Sequence, residues 1–223
     1  MQKGGIGSHT KPIEGETNIW LTPEWLIKAL TTDRCFDLDP CAAPSPRPWD
    51  TAKVYYELPT DGLSESWMGT WCYTCGAVDR RTIDFTTNPD EPVTGPKCPK
   101  CSEPISMLLQ PYRCWLNPPY GKETDVWLEK LAKHRNGLAL IFARTETETW
   151  HKHVWPKAHS IFFFEGRLWF HRPDGTRGTS NAGGPSALIS YSYFDTCQLE
   201  LAWENGGIKG TLVRDWIGRL PNA

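Results

Sequence analysis

The sequence has no apolar run approaching the roughly 20 residues that a membrane-spanning helix needs. It has no excess of one charge either. Lys and Arg number 24 against 26 Asp and Glu, for a formal net charge of −2. No overall field draws the chain to nucleic acid, so such a partner has to be met by local patches. The opening Met1-Gln2-Lys3-Gly4-Gly5 lacks the apolar centre of a signal peptide, and a cytoplasmic setting is expected. Internal repeats and low-complexity tracts are missing too. With 39% hydrophobic and 22% charged residues in 223, the chain is not disordered and is long enough to bury a sizeable core.

Cysteine and tryptophan are what it has in quantity, at 8 and 12 residues. In a cytosolic chain of this size the cysteines are not a disulfide framework. Cys72-x-x-Cys75 and Cys98-x-x-Cys101 form two knuckles separated by 22 residues. Each pair can chelate from one tight turn, and together they complete a tetrahedral four-cysteine site for Zn²⁺. Such a site is closed, so its metal is structural rather than catalytic. Cys35, Cys41, Cys114 and Cys197 read as core or site-lining thiols. The segment around the knuckles carries turn signals at Asn88-Pro89 and Gly95-Pro96. Its charges balance, Arg80, Arg81, Lys97 and Lys100 against Asp79, Asp84, Asp90 and Glu91. It reads either as a brace capping one end of a sheet or as a DNA contact, in which case Arg80-Arg81 carries it.

Asn117-Pro118-Pro119-Tyr120 follows the apolar run Cys114-Trp115-Leu116. Two successive prolines make a stiff turn, and a short apolar run before it reads as a buried strand. A side-chain amide, a fixed carbonyl and an aromatic ring then meet at a strand end. Phe36-Asp37-Leu38-Asp39-Pro40-Cys41-Ala42-Ala43 is a second apolar strand ending in acid, proline and small residues. Ligands of open α/β sheets sit beyond such carboxyl ends.

These landmarks, in order with Trp20-Leu21-Thr22-Pro23, Asp61-Gly62-Leu63, Leu140 to Thr147, Phe164 to Phe170 and Gly183-Gly184-Pro185, resemble the phage-type DNA N6-adenine methyltransferases. The resemblance spans most of the chain outside roughly residues 70–113. It implies a Rossmann-like core that uses S-adenosylmethionine and acts on double-stranded DNA. It further implies that Asn117 and Pro118 accept the two N–H bonds of the target amine, that Pro119 forms the elbow, and that Tyr120 stacks on a base flipped out of the duplex. Thr22, Pro23, Asp37, Asp39, Pro40, Cys41, Ala42 and Asp61 are the implied cofactor contacts. Where methyltransferases often have a glycine-rich cofactor loop, this chain has Asp39-Pro40-Cys41-Ala42-Ala43. The same tetrapeptide serves methyltransferases for cytosine N4, RNA adenine and protein glutamine, and a non-catalytic zinc-ribbon nucleic-acid module is a further alternative.

Between Arg144 and Gly178 six Arg and Lys face four Asp and Glu, interspersed with histidines and with Trp150, Trp155, Trp169 and Phe170. Basic and aromatic residues together suit distorted DNA, and Lys122, Arg167 and Arg172 are the expected contacts. The loop from Arg172 onward is expected to order on DNA. His151 and His153, two apart, do not share a helix face and are not read as a metal pair.

Alternating elements predict an α/β fold with a mostly parallel sheet. The methyltransferase core is expected at 1–69 and 114–223, with the zinc ribbon inserted at 70–113. Thr22 is expected to cap a helix over Pro23–Leu30, and a second helix is expected over Asp125–His134. Strands are expected at 35–39, 113–117, 138–143, 160–164 and 168–171, with a last strand pair at 188–193 and 198–203.

Overall fold

The structure, a computed structural model, describes residues 19–32, 35–79, 81, 83, 96–106 and 108–216. It is an α/β fold around a mixed sheet of seven strands. In chain order these are β1 (Leu38–Asp39), β2 (Val54–Tyr55), β6 (Cys114–Leu116), β7 (Gly137–Phe142), β8 (Ser160–Phe164), β9 (Ser186–Ser190) and β10 (Gly210–Val213). A separate sheet of three strands holds β3 (Met68–Cys72), β4 (Gly76–Val78) and β5 (Gln110–Pro111), in the order β4-β3-β5.

The large sheet runs β10-β8-β9-β7-β6-β1-β2. Its half from β2 to β7 is parallel, as expected, with Leu38 facing both Val54 and Cys114, and Trp115 facing Leu138. The other half is antiparallel throughout: β9 pairs with β7 and β8, and β10 pairs with β8. Sequence order leaves β1 toward β2 on one side and toward β6 on the other. The strand order therefore reverses between β1 and β6, and a crevice opens beyond their carboxyl ends at that reversal.

Side chains alternate across the sheet as the two-residue strand period requires. Cys114, Leu116, Ala139, Ile141, Ile161 and Ile189 enter one buried cluster, while Trp115, Leu138, Leu140, Phe162 and Leu188 enter the other. Burial on both faces explains why these strands read as continuous apolar runs. Helix α2 (Thr124–His134) and a π-helical turn (Trp150–Val154) cover the first face with Trp127, Leu128, Leu131, Trp150 and Val154. Helices α1 (Glu24–Leu30) and α3 (Tyr193–Glu204) cover the second with Leu26, Ile27, Leu30, Leu199 and Ala202. Among the described residues no helix is long and apolar enough to cross a membrane.

Three expectations are corrected. The 198–203 segment is not a strand but the body of α3. Its start is fixed by Ser192, whose Oγ accepts the Asp195 N–H at 3.0 Å. The sheet edge goes instead to β10. Residues 168–171 form no strand; His171 makes only isolated bridges to Leu21 and Arg177. Thr22 does not cap α1: Pro23 holds the cap position, without a side-chain cap bond.

A buried ion pair ties the layers together. Arg113 Nε donates to Asp195 at 2.7 Å with both side chains fully buried. Its Nη2 reaches the Leu30 carbonyl at 3.1 Å, and its backbone N–H donates to Asp37 at 2.8 Å. The pair joins α1, α3 and the residues that lead into β1 and β6.

Candidate active site and metal centre

A cavity of about 560 Å³ opens at the reversal between β1 and β6. Of the residues expected there, Thr22, Asp39, Pro40, Cys41, Ala42, Asp61 and Asn117 to Tyr120 all line it. Pro23 and Asp37 do not. Pro23 starts α1, and Asp37 turns back to the Arg113 backbone.

Asn117 is the best-defined polar group in the cavity. Its Nδ2 donates to the Trp20 carbonyl at 3.2 Å. A carbonyl only accepts, so this contact fixes the amide orientation and leaves Oδ1 as the opposite atom. The Tyr120 hydroxyl stands 3.5 Å from Oδ1, at the limit of a hydrogen bond. The Asn117 carbonyl accepts the Cys41 thiol at 3.3 Å, which couples the loops after β1 and β6. The Pro119 carbonyl accepts the Thr124 hydroxyl at 2.8 Å and so seats the elbow on α2. Among the described residues no donor reaches the Pro118 carbonyl. Two oxygen acceptors thus stand at adjacent positions of one stiff turn.

Tyr120 differs in part from expectation. One face of its ring stacks on Phe142, with centroids 4.3 Å apart, and Phe170 meets it edge-on at 6.3 Å. Only the remaining face can meet a ligand.

Asp39 is buried at the end of β1. It accepts the Thr51 hydroxyl at 2.6 Å and the Cys41 N–H at 3.3 Å. Burial raises its pKa from 3.8 to about 6 against these bonds and the nearby Arg47 charge. Thr22 is 2% exposed, and among the described residues its hydroxyl has no hydrogen-bond partner. Asp61 sits opposite on an exposed turn that it closes itself by accepting the Leu63 N–H at 2.9 Å. Gly62 brings this turn against the strand: a Cβ there would stand 1.8 Å from the Pro40 carbonyl oxygen. Lys130 of α2 holds the same turn by donating to the Gly62, Leu63 and Glu65 carbonyls at 3.1, 2.8 and 2.6 Å. In sequence, Lys130 is indistinguishable from a solvated helix lysine.

A second cavity, of about 630 Å³, lies on the other side of Tyr120. Lys122 and Arg144 line it, and no carboxylate does. Among the described residues neither cation is paired with an acid. Arg144 lay inside a motif of the sequence but was not an expected contact. Arg167 and Arg172 line neither cavity. Arg167 donates to the Ala182 carbonyl at 3.4 Å, and Arg172 belongs to a turn closed by its N–H to the Thr176 carbonyl at 2.8 Å. The loop from Arg172 onward is held by its own bonds, including Asp174 to the Thr176 N–H at 2.8 Å.

The four knuckle cysteines come together. Their Sγ atoms all lie within 4.8 Å of one another, with Cys101 at 3.5 Å from Cys72 and 3.3 Å from Cys75. A zinc tetrahedron with bonds of about 2.3 Å separates its sulfurs by about 3.8 Å, so this donor set fits a metal ion. The Thr74 and Cys75 N–H groups point at Cys72 Sγ from 3.4 Å each, an arrangement that favours the thiolate. Of the other cysteines, Cys114 is buried, Cys41 lines the cavity and Cys35 is exposed. Arg80, Asp84, Asn88, Pro89, Asp90, Glu91 and Gly95 lie outside the described residues. Arg81 is exposed, and its guanidinium donates to Thr60, to the Tyr55 carbonyl and to Asp79.

Comparison with family models, with curated proteins and with solved structures found no match for this chain. What fold and site define together is an α/β domain with a cleft at a strand-order reversal and a four-cysteine cluster able to hold a metal.

Proposed function

We propose that the protein methylates the N6 amino group of adenine in DNA, using S-adenosylmethionine. The observation that carries this reading is the pair of acceptors at Asn117 and Pro118, both lining a cavity that Asp39 also lines.

Thr22, Asp39 and the Pro40–Ala42 turn would hold the cofactor, with Asp61 at the other end of the cleft. S-adenosylmethionine, when bound there, supplies an electrophilic methyl group on a sulfonium. An adenine amine is a poor nucleophile because its lone pair is delocalised into the ring. Asn117 Oδ1 and the Pro118 carbonyl accept its two N–H bonds and favour a more tetrahedral nitrogen. As positive charge grows on that nitrogen, the two fixed oxygens stabilise it, and the proton passes afterwards to water. The double-proline elbow keeps the acceptors from relaxing, so the geometry costs little at the moment of reaction. Trp20, Trp115 and Trp127 line the cleft and exclude bulk water. Lys122 and Arg144 suit the phosphates of a DNA strand approaching past Tyr120. The four-cysteine cluster holds zinc, whose preference for tetrahedral thiolates it matches.

The test is methyl transfer from labelled S-adenosylmethionine to DNA, RNA and protein in parallel, followed by digestion of the DNA to nucleosides. The reading requires label in N6-methyl-2′-deoxyadenosine from DNA. Label confined to protein, to RNA or to N4-methylcytosine would replace it.

A further inference from the structure

Arg81 leaves the metal ribbon and ends on the rim of the first cavity. Its Nη1 donates to Thr60 Oγ1 at 3.0 Å and its Nη2 to the Tyr55 carbonyl at 3.2 Å. The guanidinium lies 4.4 Å over the Tyr56 ring. Asp79, which immediately follows β4, grips it from behind at 2.6 Å to Nη2 and 3.0 Å to Nε. The planar fork of an arginine can serve all of these partners at once; an ammonium cannot.

Both ends of this linkage matter. On the ribbon side, β4 pairs with β3, and β3 ends at Cys72. The Cys75 carbonyl makes a second tie by accepting Lys53 Nζ at 3.3 Å. On the cavity side, Tyr56, Leu58, Thr60 and Asp61 form one wall. Tyr56 also binds the cofactor loop directly: its N–H donates to the Asp39 carbonyl at 2.9 Å, and its carbonyl accepts the Ala42 N–H at 3.0 Å. At the outer end of this wall Leu58 is 81% exposed. From the opposite side Arg47 holds Glu57 at 2.6 Å. Lys130 and Ser45 also hold this segment, at the Gly62 turn and at Glu57, and of its cationic partners only Arg81 belongs to the ribbon.

We infer that Arg81 is a positioning residue that couples the folded, metal-loaded ribbon to the cofactor cleft by holding the 55–61 wall in its binding conformation. This deepens the proposed function and rests on its assignment of the first cavity to the cofactor. With the ribbon folded the wall is preorganised. With the ribbon undone, cofactor binding has to order the wall itself, and affinity falls.

The experiment uses the full chain loaded with zinc. S-adenosylhomocysteine binding is measured by calorimetry, and amide hydrogen exchange is followed over residues 55–61, for wild type, Arg81→Ala, Arg81→Lys and Asp79→Asn. The expected result for Arg81→Ala is about tenfold weaker binding, with unchanged zinc content and faster exchange over 55–61. Arg81→Lys recovers only part of the loss, and Asp79→Asn shifts both readings the same way by less. In turnover the change falls on KM for the cofactor rather than on kcat. A zinc-loaded Arg81→Ala with wild-type affinity and wild-type exchange overturns the inference. Should that variant fail to fold, unchanged affinity and exchange in both Arg81→Lys and Asp79→Asn overturn it equally. Wild type that binds no cofactor, while the variants still loosen 55–61, sinks the assignment of the cavity and leaves the linkage standing.

Discussion

The Asn117 side chain donates to the Trp20 carbonyl at 3.2 Å, and this one bond separates the two jobs of the amide. Nitrogen anchors the side chain, and oxygen is left for a substrate. Asn117→Ala removes both, and transfer should fall by about 10² to 10³ in kcat while S-adenosylhomocysteine still binds. Asn117→Asp keeps an oxygen but sets a carboxylate against the Trp20 carbonyl, so it should also fail, with the turn displaced. Methyl-transfer kinetics beside calorimetry check this; an Asn117→Asp enzyme as fast as wild type would show that the anchor is unimportant.

Asp39 predicts two pH trends of opposite sign. Its folded pKa of about 6 lies above the ordinary 3.8, so the native chain holds the proton more tightly than the unfolded one. Stability without cofactor should therefore decline as pH rises from about 4 to about 6. A carboxylate that binds ribose hydroxyls or an ammonium must be ionised, so cofactor affinity should rise over the same window and level off above it. Denaturation and calorimetry at pH 4 to 8, with Asp39→Asn losing both trends, give the check. Affinity independent of pH would remove Asp39 from the cofactor site.

The parts legible in sequence are those whose physics is local. Asn117-Pro118-Pro119 is rigid whatever surrounds it, and the cysteine knuckles state their geometry by spacing. Residues 198–203 are not local in this sense. Gln198-Leu199-Glu200-Leu201 alternates like a half-buried strand, and only the Ser192 cap with the buried pairing of Asp195 to Arg113 makes the segment helical. Sequence also suggests Thr22 as a cap because threonine before proline commonly is one. In the structure Pro23 holds the cap position instead, and the Thr22 hydroxyl is buried without a hydrogen-bond partner among the described residues. The places of Lys130 and Arg81 are hidden in sequence, since apart from Asp79 beside Arg81 their acceptors are main-chain carbonyls and a threonine far away in the chain.

Lys122 and Arg144 form the cationic lining of the second cavity. If DNA phosphates meet them, each contact contributes about 0.9 to the slope of log affinity against log salt. The double variant Lys122→Ala, Arg144→Ala should lower that slope by about 2, with cofactor affinity unchanged. Arg167→Ala, whose side chain lines neither cavity, should leave the slope within error. Fluorescence anisotropy of a labelled duplex across a salt series measures it. An unchanged slope in the double variant would move the DNA path elsewhere.

The ribbon should be unable to keep its shape without metal. Among the described residues its interior around the cysteines is Val78, Ile83 and Ile105 beside Cys72 and Cys98, while Ala77 packs into a cluster shared with the large sheet. Three aliphatic side chains contribute about 2 kcal/mol each on burial. Ordering even a dozen residues of backbone costs about 1 to 2 kcal/mol apiece. Burial alone therefore falls short, whereas a structural zinc contributes on the order of 10 kcal/mol. Cys98→Ser should abolish zinc binding, measured by mass spectrometry of the metal, and release β3 to β5 to rapid hydrogen exchange. The large sheet, whose two apolar clusters do not use the metal, should keep its protection. A Cys98→Ser chain that retains wild-type exchange over residues 68–78 would show that the ribbon is held by its packing against Tyr112 and Lys53 instead.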